Sequence, residues 1–134
     1  MKIIPPTRKQ DAHGSGEYLA SRGDRQHMGV DKACYPGSII LAVSAGGVTK
    51  LGYTYADDLS FRYVQVTDYE GYDVRYFYVE PGVSEGQNID KEDELGVSQS
   101  LDVRYSRITE HVHFEVIKNG EYCNPDDYLM RHGI

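Results

Sequence analysis

The run His111-Val112-His113-Phe114-Glu115-Val116, close to the C-terminus, constrains this chain more than any other stretch. As a β-strand it lays Val112, Phe114 and Val116 on one face and His111, His113 and Glu115 on the other. The apolar face has to be covered. The opposite face carries two imidazoles, the commonest metal ligands and the side chains best suited to proton transfer near neutral pH. A fold organised around this strand is expected to bring an Asp and a third His to the pair.

With 134 residues the chain is expected to form one domain over 1–134, burying roughly two thirds of its unfolded surface. Fourteen glycines, twelve tyrosines, no tryptophan and Val-rich runs set between Gly and Pro predict a mainly β domain with irregular loops. Acidic residues outnumber basic ones, 21 to 14, for a net charge of −7. That balance argues against nucleic acid or an anionic membrane surface as partner, since both need a basic footprint. Cys34 and Cys123 are too few for a disulfide scaffold and read as free thiols. Residues 1–6 carry no apolar stretch of signal-peptide length, and no segment is long enough to span a bilayer. Action outside the cytoplasm would then require delivery by another agent.

Residues 1–24 read as an irregular lead-in containing Pro5-Pro6, a turn at Gly14-Ser15-Gly16 and a weak helical turn over 17–21. After the turn Tyr35-Pro36-Gly37, residues 38–43 read as a strand buried on both sides. Gly46-Gly47 is expected to turn that strand into a hairpin with 48–54. Residues 61–67 alternate, as do 72–80, where Tyr72, Val74, Tyr76 and Tyr78 share a face. The acidic loop 81–94 reads as solvated, and 95–107 as a short strand followed by a loop. Strand 111–118 ends at the Asn119-Gly120 turn. Asn124-Pro125-Asp126-Asp127 then has the chemistry of a helix start: an N-cap, a first-turn proline and two acids at the positive end of the dipole.

His27 and Asp31 are four apart, so an extended chain puts both on one side with Gly29 between them, a spacing that leaves room for an ion. With His113 they make a His-Asp-His set with one tetrahedral position open, the pattern of a catalytic zinc site. Zn²⁺ lowers the pKa of a bound water towards ~7. His111, two residues before a ligand on the same strand face, is placed to take a proton from that water.

His27-Met28-Gly29-Val30-Asp31 together with the opening strand resembles the paired signature of the M23 (lysostaphin/LytM-type) metallopeptidases. Pro36-Gly37-Ser38 with Ala42 and Gly47-Val48, the Glu85-Gly86-Gln87 loop, and Asn124-Pro125 with Tyr128-Leu129 resemble further segments of that family, so the likeness runs from about residue 11 to 130. It implies a small antiparallel β-sheet domain with a zinc groove and a short C-terminal helix. The implied activity is hydrolysis of peptide bonds in peptidoglycan stems or cross-bridges, with His27, Asp31 and His113 as zinc ligands and His111 as a catalytic histidine. The family's second catalytic His, in a Tyr-x-His-Leu strand, is matched here by Tyr76-Phe77-Tyr78-Val79, which puts Tyr78 at that position. A tyrosine hydroxyl can donate a hydrogen bond to an oxyanion but stays neutral, with an ordinary pKa of ~10.

Gly14-Ser15-Gly16-Glu17-Tyr18, the run from Arg25 to Asp31, Cys34 and Phe77-Tyr78-Val79-Glu80-Pro81 also resemble the leukocyte cell-derived chemotaxins, secreted animal relatives of the family that carry Tyr at this position and are regarded as non-peptidases. The expected function is therefore a zinc endopeptidase of the cell wall, delivered by a phage tail or baseplate or by an injecting secretion machine and acting in the periplasm or wall. The alternative is a zinc-binding pseudopeptidase serving as a binding or structural module. Among other polar residues, Arg22 and Arg25 are expected in loop salt bridges, His13 and His132 in solvent, and Glu115 at the solvent end of its strand face.

Overall fold

The computed structural model describes residues 7–8, 11, 14–22 and 25–134, with backbone only at 21, 22 and 25. Along the chain run β1 (Ser21–Arg22), β2 (Arg25–Gln26), β3 (Val30–Ala33), β4 (Ile39–Leu41), β5 (Gly46–Tyr55), β6 (Asp58–Asp68), β7 (Asp73–Phe77), β8 (Val79–Pro81), β9 (Asn88–Ile89), β10 (Glu94–Ser98), β11 (His111–Lys118), β12 (Glu121–Cys123) and α1 (Pro125–Arg131). The main sheet has the antiparallel order β12-β11-β7-β6-β5-β9, and β3 joins it on β11. A three-stranded sheet, β4-β10-β8, lies beside it, and β1 pairs with β2.

The alternation seen in the sequence settles which face is core. Val112, Phe114 and Val116 of β11 are buried with Val74 and Tyr76 of β7 and Val64 and Val66 of β6. The Phe114 and Tyr76 rings meet edge to face at 5.3 Å, a geometry that adds to their burial. Tyr76 keeps its hydroxyl satisfied inside the core by accepting from the Val43 N–H at 3.0 Å. Helix α1 covers this core through Tyr128 and Leu129. Its start follows the expected chemistry: Asn124 Oδ1 accepts from the Asp126 N–H at 3.0 Å, with Pro125 in the first turn. Asn119 (φ 52°) and Gly120 (φ 79°) close the tight β11–β12 hairpin.

Register places the polar face. On β11, His113 stands opposite Asp31 of β3 on one side and Phe77 of β7 on the other. The His27–Asp31 spacing within one segment is thus joined to His113 by strand pairing.

Several expectations need correction. Residues 38–43 do not form a hairpin with 48–54: β4 pairs with β10, while β5 pairs with β6 and β9. Gly46 lies inside β5, where a Cβ would sit 2.1 Å from the Thr67 carbonyl oxygen, so it serves close strand approach and not a turn. Nor is 38–43 buried on both sides, since Ile39 is 42% exposed. The strand over 72–80 breaks at Tyr78, whose φ of 66° separates β7 from β8 and takes its side chain off the Tyr76 face. Leu19 (φ 63°) with the Ala20 N–H on the Glu17 carbonyl makes a tight turn in place of a helical one over 17–21. The 81–94 loop is mostly exposed, but β9 pins it to β5 and Val83 and Ile89 enter the core. His13 and the side chains of Arg22 and Arg25 lie outside the described residues.

Candidate metal site and groove

His27, Asp31 and His113 converge. Asp31 Oδ1 lies 2.7 Å from His113 Nδ1 and 3.0 Å from His27 Nε2, and those two nitrogens are 2.9 Å apart. Each ring is bound on its far side. His27 Nδ1 meets the Glu17 carbonyl oxygen at 2.9 Å, and His113 Nε2 meets Glu115 Oε1 at 2.9 Å. A carbonyl and a carboxylate only accept, so they hold the ring protons on the outside and turn both lone pairs inward. Two imidazole lone pairs and a carboxylate oxygen within hydrogen-bond distance repel one another unless a proton or a cation sits between them.

The protonation pattern follows from the same contacts. Burial opposes charge on His113, but its bonds to Asp31 and Glu115 outweigh burial and hold the metal-free ring up at about 9. Burial would raise Asp31; its close contacts with the His113 and His27 rings, with His111 nearby, overcome it and keep the carboxyl well below the usual range. Asp31 Oδ2 also accepts from Arg8 Nε at 2.9 Å, and Arg8, 2% exposed, reaches the Gly14 carbonyl and Asp11 as well.

His111 is buried on the same face. Its Nδ1 donates to the Thr109 carbonyl at 2.7 Å, which leaves Nε2 bare, 3.4 Å from Asp31 Oδ2. Burial lowers its pKa, with Asp31 only partly offsetting, so the ring is neutral and can accept a proton. The Tyr78 ring stands edge-on to His111 at 5.6 Å, its hydroxyl bonded to Tyr55 and its pKa pushed up to about 12 by burial. Its left-handed backbone is unfavourable for a bulky residue by about 1–2 kcal/mol. The Tyr78 N–H on the Arg62 carbonyl and the Gln99 N–H on the Tyr78 carbonyl, both 2.8 Å, hold it there.

Arg8, His27, Asp31, Tyr78, His111, His113 and Glu115 line one cavity of about 650 Å³, together with Met28, Tyr55, Phe77, Tyr105 and Tyr122. That is room for a short peptide segment. The residues singled out from sequence, His27, Asp31, His113, His111 and Tyr78, therefore share one site. Tyr76 is core, and Tyr72 packs on Tyr128 with its ring at 5.3 Å. Glu115 does not point to solvent: it is 9% exposed and holds His113. His132 is not simply solvated, since its ring lies 4.3 Å from that of Tyr128. Gly29 makes room for His113 rather than for an ion, because a Cβ there would stand 2.8 Å from that ring. Arg8, Tyr55 and Tyr105 give no sequence signal as site residues, since the bonds Arg8–Asp31, Tyr55–Tyr78 and Tyr55–Tyr105 that bring them there span 23 or more residues. The cysteines are free thiols. A second donor group, Asp68, Glu70 and His132, is already committed: Asp68 accepts from the Glu70 and Tyr72 amides, and the Tyr128 hydroxyl bonds its second oxygen.

Residues 25–125 match the sequence pattern of peptidase family M23, and the chain belongs to that family. Leukocyte cell-derived chemotaxin-2 of Mus musculus is 32% identical over 119 residues, covering 89% of this chain and 76% of that protein. The antimicrobial peptidase lysostaphin from Staphylococcus simulans superposes on 99% of this chain with a TM-score of 0.72 at 19% identity, and the chain spans 55% of that structure. The catalytic domain of the prophage-encoded M23 protein EnpA from Enterococcus faecalis superposes on 95% of this chain and 98% of its own, with a TM-score of 0.67 at 20% identity. The fold is thus the LytM-like antiparallel β domain expected from the sequence. Among the described residues no helix is long and apolar enough to cross a membrane.

Proposed function

We propose that the protein is a zinc-dependent endopeptidase acting on the peptide part of peptidoglycan. The observation that carries this reading is the convergence of two inward-facing imidazole nitrogens on one carboxylate oxygen, with the outer ring nitrogens held by the Glu17 carbonyl and the Glu115 carboxylate. Two imidazoles and a carboxylate suit zinc. Donors about 2.0–2.1 Å from a tetrahedral zinc stand roughly 3.3 Å apart, so the 2.7–3.0 Å separations need to open by only a few tenths of an ångström. His27, Asp31 and His113 would hold the ion.

Zinc bound there supplies Lewis acidity, which makes water an available nucleophile near neutral pH. The protein's own residues do the rest. His111 takes a proton on Nε2, the nitrogen left bare by the bond to Thr109. Tyr78 donates to the oxyanion that develops on the scissile carbonyl, a contact of the kind worth about a hundred- to thousand-fold in rate. Arg8 fixes the second oxygen of Asp31, so that Oδ1 stays aimed at the cluster.

Delivery by a phage tail, a baseplate or an injecting secretion machine belongs to the same reading, and the prophage origin of EnpA lends it support. Mass spectrometry of virions from a host carrying the gene tests that part.

A second reading, a zinc-holding pseudopeptidase that binds its ligand without cleaving it, is favoured by Tyr78, whose high pKa prevents it from shuttling a proton. Hydrolysis of purified sacculi, followed by release of free amino groups with metal content measured in parallel, separates the two. The enzyme reading expects cleavage that chelation abolishes and zinc restores, and loss of turnover with zinc retained in His111→Ala. Stoichiometric zinc without cleavage at high protein concentration sinks it.

A further inference from the structure

Tyr78 is the end of a chain of hydroxyls. Its oxygen lies 2.9 Å from that of Tyr55, and Tyr55 lies 2.5 Å from that of Tyr105. At the far end Arg104 Nε donates to the Tyr105 oxygen at 3.3 Å, and its guanidinium carbon sits 3.8 Å over the Tyr55 ring. Asp57 and Asp58, at the β5–β6 turn, hold Arg104 from behind at 3.7 and 3.5 Å. The rings are fixed from below, since Phe61, 3% exposed, meets Tyr55 and Tyr78 edge-on at 5.8 and 6.0 Å.

Direction is what this chain adds. A guanidinium has donors only, so the Tyr105 oxygen must accept from Arg104. Each hydroxyl has one proton to give. A cation at one end of a hydroxyl chain favours oxygens towards it and protons away from it, and successive bonds of the same sense polarise one another. With that sense, Tyr105 donates to Tyr55, Tyr55 donates to Tyr78, and the proton of Tyr78 is left for the groove. With the opposite sense the Tyr78 proton would be spent on Tyr55 and only an oxygen would face the site. We propose that Arg104, Tyr105 and Tyr55 form a polarised relay that presents Tyr78 to the groove as a hydrogen-bond donor for a substrate carbonyl. They are positioning residues, and the inference deepens the endopeptidase reading on which it rests.

The sharpest test is a double-mutant cycle on sacculus hydrolysis by the zinc-loaded protein. Tyr105→Phe keeps the ring and removes the relay bond; kcat is expected to fall about three- to tenfold with KM and zinc content unchanged. In a Tyr78→Phe background the same change should do nothing further, because the relay acts only through Tyr78. Arg104→Lys should recover part of the activity lost in Arg104→Met, since charge is what sets the direction. Additive losses in the double variant overturn the proposal. A readout independent of turnover is hydroxyl exchange in protein labelled with ¹³Cζ-tyrosine, assigned with the single Phe variants. Slow exchange at Tyr55 and Tyr105 with fast exchange at Tyr78 is expected; slow exchange at Tyr78 with fast exchange at Tyr105 means the relay runs the other way. If the unaltered protein does not cleave sacculi at all, the endopeptidase reading fails, while the exchange pattern alone decides the relay.

Discussion

Removing the Glu115 carboxylate should weaken zinc binding by an amount that depends on pH, because two opposing effects meet at His113. Glu115 Oε1 draws the Nε2 proton of His113 outward and so aims the Nδ1 lone pair at the ion. Loss of such an outer partner typically costs about 10- to 100-fold in metal affinity. The same bond also raises the pKa of the metal-free ring to about 9, together with the larger contribution from Asp31. At pH 7 a ring with that pKa is two units below its midpoint, so proton competition weakens apparent zinc binding about 100-fold; at pH 9 the penalty is only about twofold. His113 alone should therefore make the unaltered protein bind zinc about 50-fold more tightly at pH 9 than at pH 7. In Glu115→Ala the ring is less basic and this rise is shallower. The variant should bind about 10- to 100-fold more weakly at pH 9, with the gap narrowing at pH 7. Competition against a chromophoric chelator at both pH values, with circular dichroism as a fold control, measures this. An equal gap at the two pH values would refute the coupling, and no gap at either would remove Glu115 from the site. Glu115→Gln keeps an acceptor without the charge and should lie between the two.

The metal-free protein carries a second pH signature. The depressed Asp31 stabilises the fold above the ordinary carboxyl pKa near ~3.9 and loses that contribution as pH falls. The raised His113 stabilises it fully below ~6.5 and loses up to about 3 kcal/mol as pH rises through about 9. Below ~6.5 the buried His111, whose pKa is lowered, takes stability away as the unfolded chain gains a proton there. Urea midpoints of chelator-treated protein should accordingly be highest at about pH 6.5 and fall towards pH 9, whereas zinc-loaded protein should keep its stability there. Gly29→Ala would put a Cβ 2.5 Å from the Phe114 carbonyl oxygen and 2.8 Å from the His113 ring, so it should cost about 1–3 kcal/mol and weaken zinc binding together, read by thermal melts and chelator competition. Tyr128→Phe, far from the groove, removes the hydroxyl that bonds Asp68 and Ser44 in the core and should cost about 1–3 kcal/mol with zinc affinity unchanged. A parallel loss of zinc affinity would mean that the two ends of the sheet are coupled.

What the sequence made legible is what local geometry fixes. The alternation in 111–118 assigns both faces of β11, and Asn124-Pro125 marks the start of α1, because strand period and cap chemistry act within a few residues. The grouping of His27 and Asp31 was readable for the same reason. Strand partners were not: nothing within 38–54 says that β4 will pair with β10 some 55 residues later, and a Gly-Gly pair that looks like a turn is equally well a place where β6 comes close. Tyr78 shows the limit most clearly. Its neighbours alternate without a break, so strand period alone puts it on the Tyr76 face. One left-handed residue undoes that, and the backbone strain is offset by bonds to Arg62 and Gln99, from β6 and from the turn after β10. Had the strand run on regularly, the Tyr78 hydroxyl would have joined Tyr76 in the core instead of meeting Tyr55 at the groove. The local rule therefore fails at the groove residue Tyr78, and the proposed relay behind it gives that failure a use.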